Sequence, residues 1–215
     1  MANFRAACAA RVSFSGSIIV YLTPKRIVEP SARILTLDEV KAHLAVDFDD
    51  DDDLISAYIL AVEEHLDGYG GILGRCLINQ EWEQYFSFWT GARMILCFPD
   101  VSAASVTYFD QDNVSRTLSA DQYILLNSAR GAYLQFLDSF TVPSLYCRDD
   151  TITVRFTAGY GAQPDSVPAE IRQAAKMIVA AWYKVRAEVS HAALSELPDS
   201  IAVRALLSKR RRIGL

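Results

Sequence analysis

Six aspartates crowd into positions 47 and 49–53, and closely spaced carboxylates of this kind are typical ligands of Ca²⁺. A calcium loop starting at Asp47 would place Asp52 where glycine is needed and Tyr58 where the bidentate glutamate belongs. A loop starting at Asp49 fails as well, because Leu54 then takes the glycine position. The run is therefore predicted to be a solvated loop leading into a helix, whose N-terminal dipole its carboxylates complement.

Catalytic patterns are equally incomplete elsewhere in the chain. The three histidines, His43, His65 and His191, are far apart, and neither a His-Glu-x-x-His zinc motif nor a Gly-x-Ser-x-Gly elbow occurs. The glycines at 68, 70, 71 and 74 lack the preceding strand and the following Lys-Ser/Thr of a phosphate loop. The sequence predicts no enzyme, no metal site and no cofactor. The residual enzyme hypothesis, a metal-dependent activity using residues 49–53, requires that Asp→Asn changes there abolish it.

The C-terminal end has a different character, because charge separates along the chain. Residues 200–215 hold five basic side chains and no acidic one, whereas residues 1–199 hold 16 basic against 26 acidic. A basic cluster at residues 209–212 is compatible with a solvated terminus, a nucleic-acid footprint or docking into an acidic protein groove. The apolar Ile213 and Leu215 favour a docking arm, because apolar anchors complement steering by charge.

Composition limits the class of protein further. The chain has 215 residues, 51% of them hydrophobic, which is enough for one good core or two small ones. No apolar run approaches the roughly 18 to 20 residues of a membrane helix, and Arg5 and Arg11 interrupt any signal-peptide core. We expect synthesis in the cytoplasm and no membrane partner. The four cysteines show no paired spacing and are expected to be reduced thiols.

Hydrophobic periodicity defines the elements that would position these residues. Thr36 and Glu39 form a capping box that predicts a helix through about Val46. A second amphipathic helix is expected over residues 54–66, ending at the glycines. Residues 78–156 contain short aromatic and β-branched stretches that predict antiparallel strands. A long helix should begin at Pro168 and pack on the helix at 54–66, and a final short helix is expected from about Pro198 to Leu207.

These elements predict an α+β protein with a mainly helical core of antiparallel helices, an inserted small antiparallel β-domain and extended terminal arms. The expected boundaries are an N-terminal arm at 1–33, the helical part of the core at 34–76, the inserted β-domain at 77–157, the long core helix at 158–196 and a C-terminal docking arm at 197–215.

The order of motifs resembles a known family. The motifs are ILTLDEVKAHLAVD at 34–47, the acidic loop before Leu54, LINQEW at 77–82, FTAGYG at 156–161, VPAEIRQA at 167–174 and the Trp182-Tyr183 pair. Together they resemble the head-tail connector, or adaptor, family of long-tailed bacteriophages and related gene transfer particles. The resemblance spans about residues 34–188, and residues 1–33 have no counterpart in it.

The resemblance implies a structural, non-enzymatic subunit of the virion neck. Such subunits form a homo-oligomeric ring, commonly dodecameric, beneath the portal protein, and they extend the channel through which the genome is ejected. A stopper or tail-completion protein binds the opposite side. Double-stranded DNA would pass through the lumen without sequence-specific binding, and an acidic body would repel the duplex and keep it central.

By the same resemblance, specific residues receive expected roles. The portal-binding residues would be Arg204, Leu207, Lys209, Arg210, Arg211, Arg212, Ile213 and Leu215. The ring interface would use Arg172, Lys176, Tyr183 and Lys184 from the long helix, and Asp51, Asp52 and Asp53 from the acidic run. The alternative function is a nucleic-acid-binding module that uses the basic C-terminal tail and loses DNA affinity steeply with salt.

Overall fold

The computed structural model describes residues 22–128, 131–185 and 201–212. The chain divides into two compact units. We call them the β unit (Met1–Val28, Glu81–Cys97 and Val101–Thr157) and the helical unit (Glu29–Gln80, Phe98–Asp100 and Ala158–Leu215). Each unit draws on segments that are distant in sequence, so neither corresponds to one continuous stretch of chain.

The helical unit contains all four α-helices of the described residues. They are α1 (Leu37–Leu44), α2 (Asp52–Leu66), α3 (Ala169–Lys184) and α4 (Ile201–Ser208). The predicted capping box is present at the start of α1: the Glu39 amide donates to the Thr36 hydroxyl and the Thr36 amide donates to the Glu39 carboxylate, each at 3.2 Å. Reciprocal capping satisfies two amides that a helix start otherwise leaves unpaired.

Three helices bury apolar stripes in one core. The buried side chains are Ile55, Ile59, Val62 and Leu66 of α2, Ile171, Ala174, Ala175, Ile178, Val179 and Tyr183 of α3, and Val203 and Leu207 of α4. Tyr58 of α2 meets Trp182 of α3 edge to face, with ring centroids 6.2 Å apart. The predicted packing of the long helix on the helix at 54–66 is therefore confirmed.

The β unit is built on two sheets. The larger sheet has the order β1-β2-β8-β4-β5, and the smaller has the order β3-β7-β6. Their strands are β1 (Lys25–Val28), β2 (Gln80–Phe86), β3 (Arg93–Ile95), β4 (Val101–Phe109), β5 (Ser115–Thr117), β6 (Tyr123–Ser128), β7 (Gly131–Phe136) and β8 (Ile152–Ala158). The pairs β1 with β2, β4 with β5, β3 with β7 and β6 with β7 are antiparallel.

Aromatic side chains stabilise the β unit. Trp89 packs edge to face against Tyr108, Phe136 and Phe140, and Phe136 stacks on Phe140 with ring centroids 4.3 Å apart. The indole of Trp89 also donates to the carbonyl of Pro143 at 3.2 Å. These contacts attach the long connection between β7 and β8 to the sheets.

The predicted fold class is wrong, because the protein does not have a mainly helical core with a small inserted β-domain. The described residues form eight strands in two sheets and four helices. Of these helices, only α2 and α3 exceed eight residues. Two of the unexpected strands, β1 and β5, are short and exposed at every residue, so they show no alternating burial signal. Their pairing with β2 and β4 depends on contacts that local periodicity does not reveal.

The structure also bears on the expectations for the cysteines and for membrane-spanning helices. Among the cysteines in the described ranges, Cys76 and Cys97 are reduced thiols, but Cys147 is disulfide-bonded, so the expectation of reduced cysteines is wrong at that position. Within residues 22–128, 131–185 and 201–212, no helix has the length and apolar character needed to cross a membrane.

Candidate functional site

The C-terminal segment, residues 201–212, packs against the rest of the helical unit through α4. Val203 and Leu207 are buried, and the backbone amide of Arg212 donates to the carbonyl of Leu73 at 2.9 Å. The amides of Arg210 and Arg211 both donate to the carbonyl of Leu207, at 2.9 and 3.0 Å. These basic residues therefore follow directly from a helix C-terminus, where the dipole favours positive charge.

The basic side chains of this segment differ in their exposure. Lys209 and Arg211 are exposed, whereas Arg210 and Arg212 are half-buried. Arg210 Nη2 lies 3.4 Å from Glu170 Oε1 at the start of α3. The pKa of Glu170 is lowered, first by a hydrogen bond from its own backbone amide and then by Arg210. Lys209 and Arg211 are thus exposed cations on a segment whose preceding helix, α4, is packed in the core.

The other residues expected in portal binding have varied positions. Leu207 contributes to the core, and Arg204 lies on the exposed side of α4. Ile213 and Leu215 lie outside the described residues. The apolar anchoring proposed from sequence at those two positions therefore stays a prediction.

Two of the residues expected at the ring interface, Arg172 and Lys176, converge on Glu39. Arg172 Nη2 lies 2.5 Å from Glu39 Oε1, and its Nη1 lies 3.0 Å from Asp165 Oδ1. Lys176 Nζ lies 3.7 Å from the same Glu39 oxygen. Partial burial raises the pKa of Glu39, but the hydrogen bond from Thr36 and the charges of Arg172 and Lys176 outweigh it and leave the pKa lowered. Both cations thus link α3 to α1 within one subunit.

The acidic run also has partners within the subunit. Tyr183 donates its hydroxyl to Asp51 Oδ2 at 2.5 Å, and Lys41 Nζ contacts Asp49 Oδ1 and Asp52 Oδ1 at 2.7 Å each. Hydrogen bonding to the two aspartates raises the pKa of Lys41, and the bond from Lys41 lowers the pKa of Asp49. Asp53 and Lys184 are exposed. The described part of the chain contains no group of three or more His, Cys, Asp or Glu side chains placed to hold a metal ion.

Sequence reasoning missed several residues of these clusters. Glu39 was recognised as a capping residue, but its ion pair with Arg172 joins positions 133 residues apart. Arg75 was not singled out, although its Nη1 donates to Asp100 at 2.8 Å and to the Tyr160 hydroxyl at 2.6 Å. The tyrosine lies in the FTAGYG motif, which was the only sequence signal near this cluster.

The chain is similar to known proteins both in sequence and in fold. The sequence model of the head completion protein family matches residues 33–195. No curated protein matches the chain.

Solved structures with a similar fold come from gene transfer agent (GTA) particles. A chain from the neck of an empty particle, computed with C6 symmetry, is 18% identical with a TM-score of 0.71. A chain from the virion of a native particle is 19% identical with a TM-score of 0.71. A chain from the neck of a native particle, computed with C12 symmetry, is 19% identical with a TM-score of 0.66. Each alignment covers 90% of this chain and 97% of the other.

The family match covers more than half of the chain and includes the capping box, α1, α2, the β unit from β2 onward and α3. The resemblance to head-tail connectors inferred from the motif order is thereby confirmed. This chain belongs to the head completion protein family.

Proposed function

We propose that this protein is a structural, non-enzymatic connector subunit in the neck of a phage-like particle, where it links the capsid to the tail. The observation that carries the proposal is the family match over residues 33–195. The likeness in fold to chains of GTA necks and virions, over 90% of this chain, supports it.

The proposed assembly is a homo-oligomeric ring, dodecameric in the simplest case, beneath the portal protein. Two of the similar neck structures were computed with C6 and C12 symmetry, which supports repeated copies around an axis. Lys184 and Asp53 are exposed and available to a neighbouring copy. The other expected interface residues would support the contact by fixing the helices within the subunit, through the ion pairs of Arg172, Lys176 and Asp52 and the hydrogen bond from Tyr183 to Asp51.

The ring would prolong the DNA channel. The sequence ranges of the helical unit carry 12 basic against 18 acidic residues, and those of the β unit carry 9 against 8. Repeated around a ring, the excess negative charge would repel phosphate and oppose adhesion of the duplex to the wall. DNA would therefore slide through without sequence-specific contacts.

The C-terminal segment is the proposed portal-docking element, and a stopper or tail-completion protein would bind the opposite side of the ring. Lys209 and Arg211 are exposed on a segment that α4 attaches to the helical unit. Deletion of residues 204–215 would remove the buried Leu207 together with the charges. Point substitutions therefore test the role of the segment more cleanly than truncation.

The test measures the affinity of the purified full chain for its portal protein. Because Lys209 and Arg211 are exposed, the double change Lys209→Glu and Arg211→Glu should leave the circular dichroism spectrum and melting temperature unchanged. It should weaken portal binding by about tenfold or more, since charge reversal replaces attraction by repulsion. Lys25→Glu, at an exposed position of β1, is the control and should bind normally. Unchanged affinity in the double variant would contradict the docking role.

The nucleic-acid alternative is tested with the same proteins. A connector should bind a free labelled duplex weakly at about 0.15 M salt, and the double variant should differ little from the parent. A DNA-binding module would instead show tight binding that falls steeply as salt rises and is lost in the double variant.

A further inference from the structure

The smaller sheet of the β unit has one face made largely of exposed apolar side chains. Cross-strand pairing aligns Ile95 of β3 with Tyr133 of β7, and Tyr133 with Leu126 of β6. The neighbouring row contains Arg93, Gln135 and Ile124 in the same order of strands. The guanidinium of Arg93 lies over the Tyr133 ring, 5.4 Å from its centroid. The face is therefore a mainly apolar patch with one cation at its edge.

Exposure distinguishes this face from the opposite one. Met94 and Leu134, which point to the other side of the sheet, are completely buried, whereas Ile95 is 53% exposed, Ile124 46% and Leu126 36%. A sheet face in contact with water normally carries polar side chains at these alternating positions. A contiguous apolar patch rimmed by polar residues is typical of an interaction surface.

The helical unit has a surface that could complement this patch. Along α2, the residues on the exposed side centre on Leu60, which is 39% exposed. Its exposed neighbours on the same side are Ser56, Ala57 and Ala61, with Asp53 at one end and Glu64 at the other. Because the flanking side chains are small, a sheet face can approach the helix closely, as in helix-on-sheet packing.

We infer that the outer face of β3-β7-β6 in one copy binds the exposed side of α2 in the next copy. This inference rests on the ring proposed above, and it names the two surfaces that make the ring contact. A ring requires a heterologous contact between different surfaces of neighbouring copies, which these two surfaces provide.

Charge favours this pairing over others between two copies. The exposed side of α2 carries the acidic Asp53 and Glu64, whereas the sheet face carries the basic Arg93. Contact between two helical units would juxtapose like charges, which is costly at an interface. Contact between a β unit and a helical unit avoids that cost and places Arg93 within reach of Asp53 or Glu64.

Photo-crosslinking tests the contact directly. A photoreactive phenylalanine replaces Leu126 in the full chain, which is mixed at high concentration with an equal amount of ¹⁵N-labelled unmodified chain and irradiated. Mass spectrometry of mixed-isotope crosslinks should identify α2, residues 52–66, as the main target. The same probe at Val142, an exposed apolar position of the β unit outside this face, is the control and should not label α2.

Other results would overturn the inference. Crosslinks from position 126 to β3, β6 or β7 of a second copy would mean that the patch pairs with itself. Crosslinks within one copy to residues 1–21 would mean that the N-terminal segment covers it. Absence of any crosslink between copies would mean that the patch does not bind a second copy.

A charge exchange tests the specific geometry. Arg93→Glu should lower the crosslink yield about threefold, as expected for a partly exposed charge at an interface edge. Glu64→Arg combined with Arg93→Glu should restore the yield, and Asp53→Lys is the equivalent rescue at the other end of the stripe. If neither double variant recovers any yield, the proposed orientation is wrong.

The outcome is separable from that of the proposed function. If images show a ring on the portal while the crosslinks lead elsewhere, the surfaces named here are wrong and the connector role stands. If the crosslinks lead to α2 but no ring forms on the portal, the contact between copies stands and the connector role fails.

Discussion

The helical unit and the β unit use their charged and apolar side chains in different ways. In the helical unit, charges expected at a surface interface are paired within the subunit, as Arg172 is with Glu39 and Lys41 with Asp52. In the β unit, isoleucines and a leucine remain exposed on one sheet face. The first arrangement links helices that are far apart in sequence, and the second leaves an apolar surface exposed in the described part of the chain.

This difference shows that charged residues assigned to an interface from the sequence can already have partners within the subunit. Exposed or partly exposed ion pairs contribute at most about 1 kcal/mol each to stability, but several of them can fix how helices pack. The exposed part of an apolar side chain does not stabilise the isolated fold, and it gains free energy only when a partner covers it.

The largest expected effect is a difference between two identical substitutions. Ile55→Ala in α2 removes a completely buried side chain, so it should lower the free energy of unfolding by about 2 to 5 kcal/mol. Ile124→Ala on the exposed sheet face, where the side chain is 46% exposed, should cost less than about 1 kcal/mol. Urea denaturation followed by circular dichroism measures both. Equal losses would mean that the sheet face is covered within the subunit.

A second prediction concerns backbone packing in the helical unit. Gly159 has a φ of 147°, and a Cβ there would lie 2.6 Å from the amide nitrogen of Asn79 and 2.7 Å from the carbonyl carbon of Ile78. Gly159→Ala should therefore destabilise the protein by about 2 to 3 kcal/mol, measured as a lower melting temperature. Gly70→Ala is the control, because a Cβ there meets nothing within 4 Å. If Gly159→Ala left the melting temperature unchanged, the backbone of residues 78 and 79 would have to shift without cost.

Removal of the capping hydroxyl should have a smaller effect. Thr36→Ala eliminates the acceptor for the Glu39 amide and should cost about 1 kcal/mol. Thr36→Ser keeps the hydroxyl and should restore most of the loss. If Ser and Ala were equally destabilising, the methyl group and not the cap would be responsible.

The smallest expected effect is on pH dependence. The lowered pKa of Glu39 means that its stabilising contribution is complete above its ordinary value of 4.5 and is lost as the pH falls through the folded value. Glu39→Gln keeps a capping acceptor but removes the charge, so its unfolding free energy should fall less steeply between about pH 5 and pH 3. Asp38→Asn, also in the first turn of α1, controls for the loss of one charge. Parallel curves for Glu39→Gln and the parent would contradict the role of the Glu39 ion pairs.

The sequence predicted those parts of the fold that have a local signal. Such signals are the capping box of α1, the apolar stripe of α2, and the alternation of Ile152, Val154 and Phe156 in β8. Each of these patterns predicts the element in which it lies. The exposed strand β1 has no such signal, because it exists only through pairing with β2. The same limit applies to the candidate sites. Basic residues 209–212 stand out in sequence, but the burial of Leu207 and the pairing of Arg172 with Glu39 depend on tertiary contacts.

Cryo-electron microscopy of the purified full chain mixed with its portal protein tests the proposed ring. We predict a ring coaxial with the portal, with the C-terminal segments toward the portal and an open channel along the axis. Images that show the portal alone, with this protein absent or bound without axial symmetry, would contradict it.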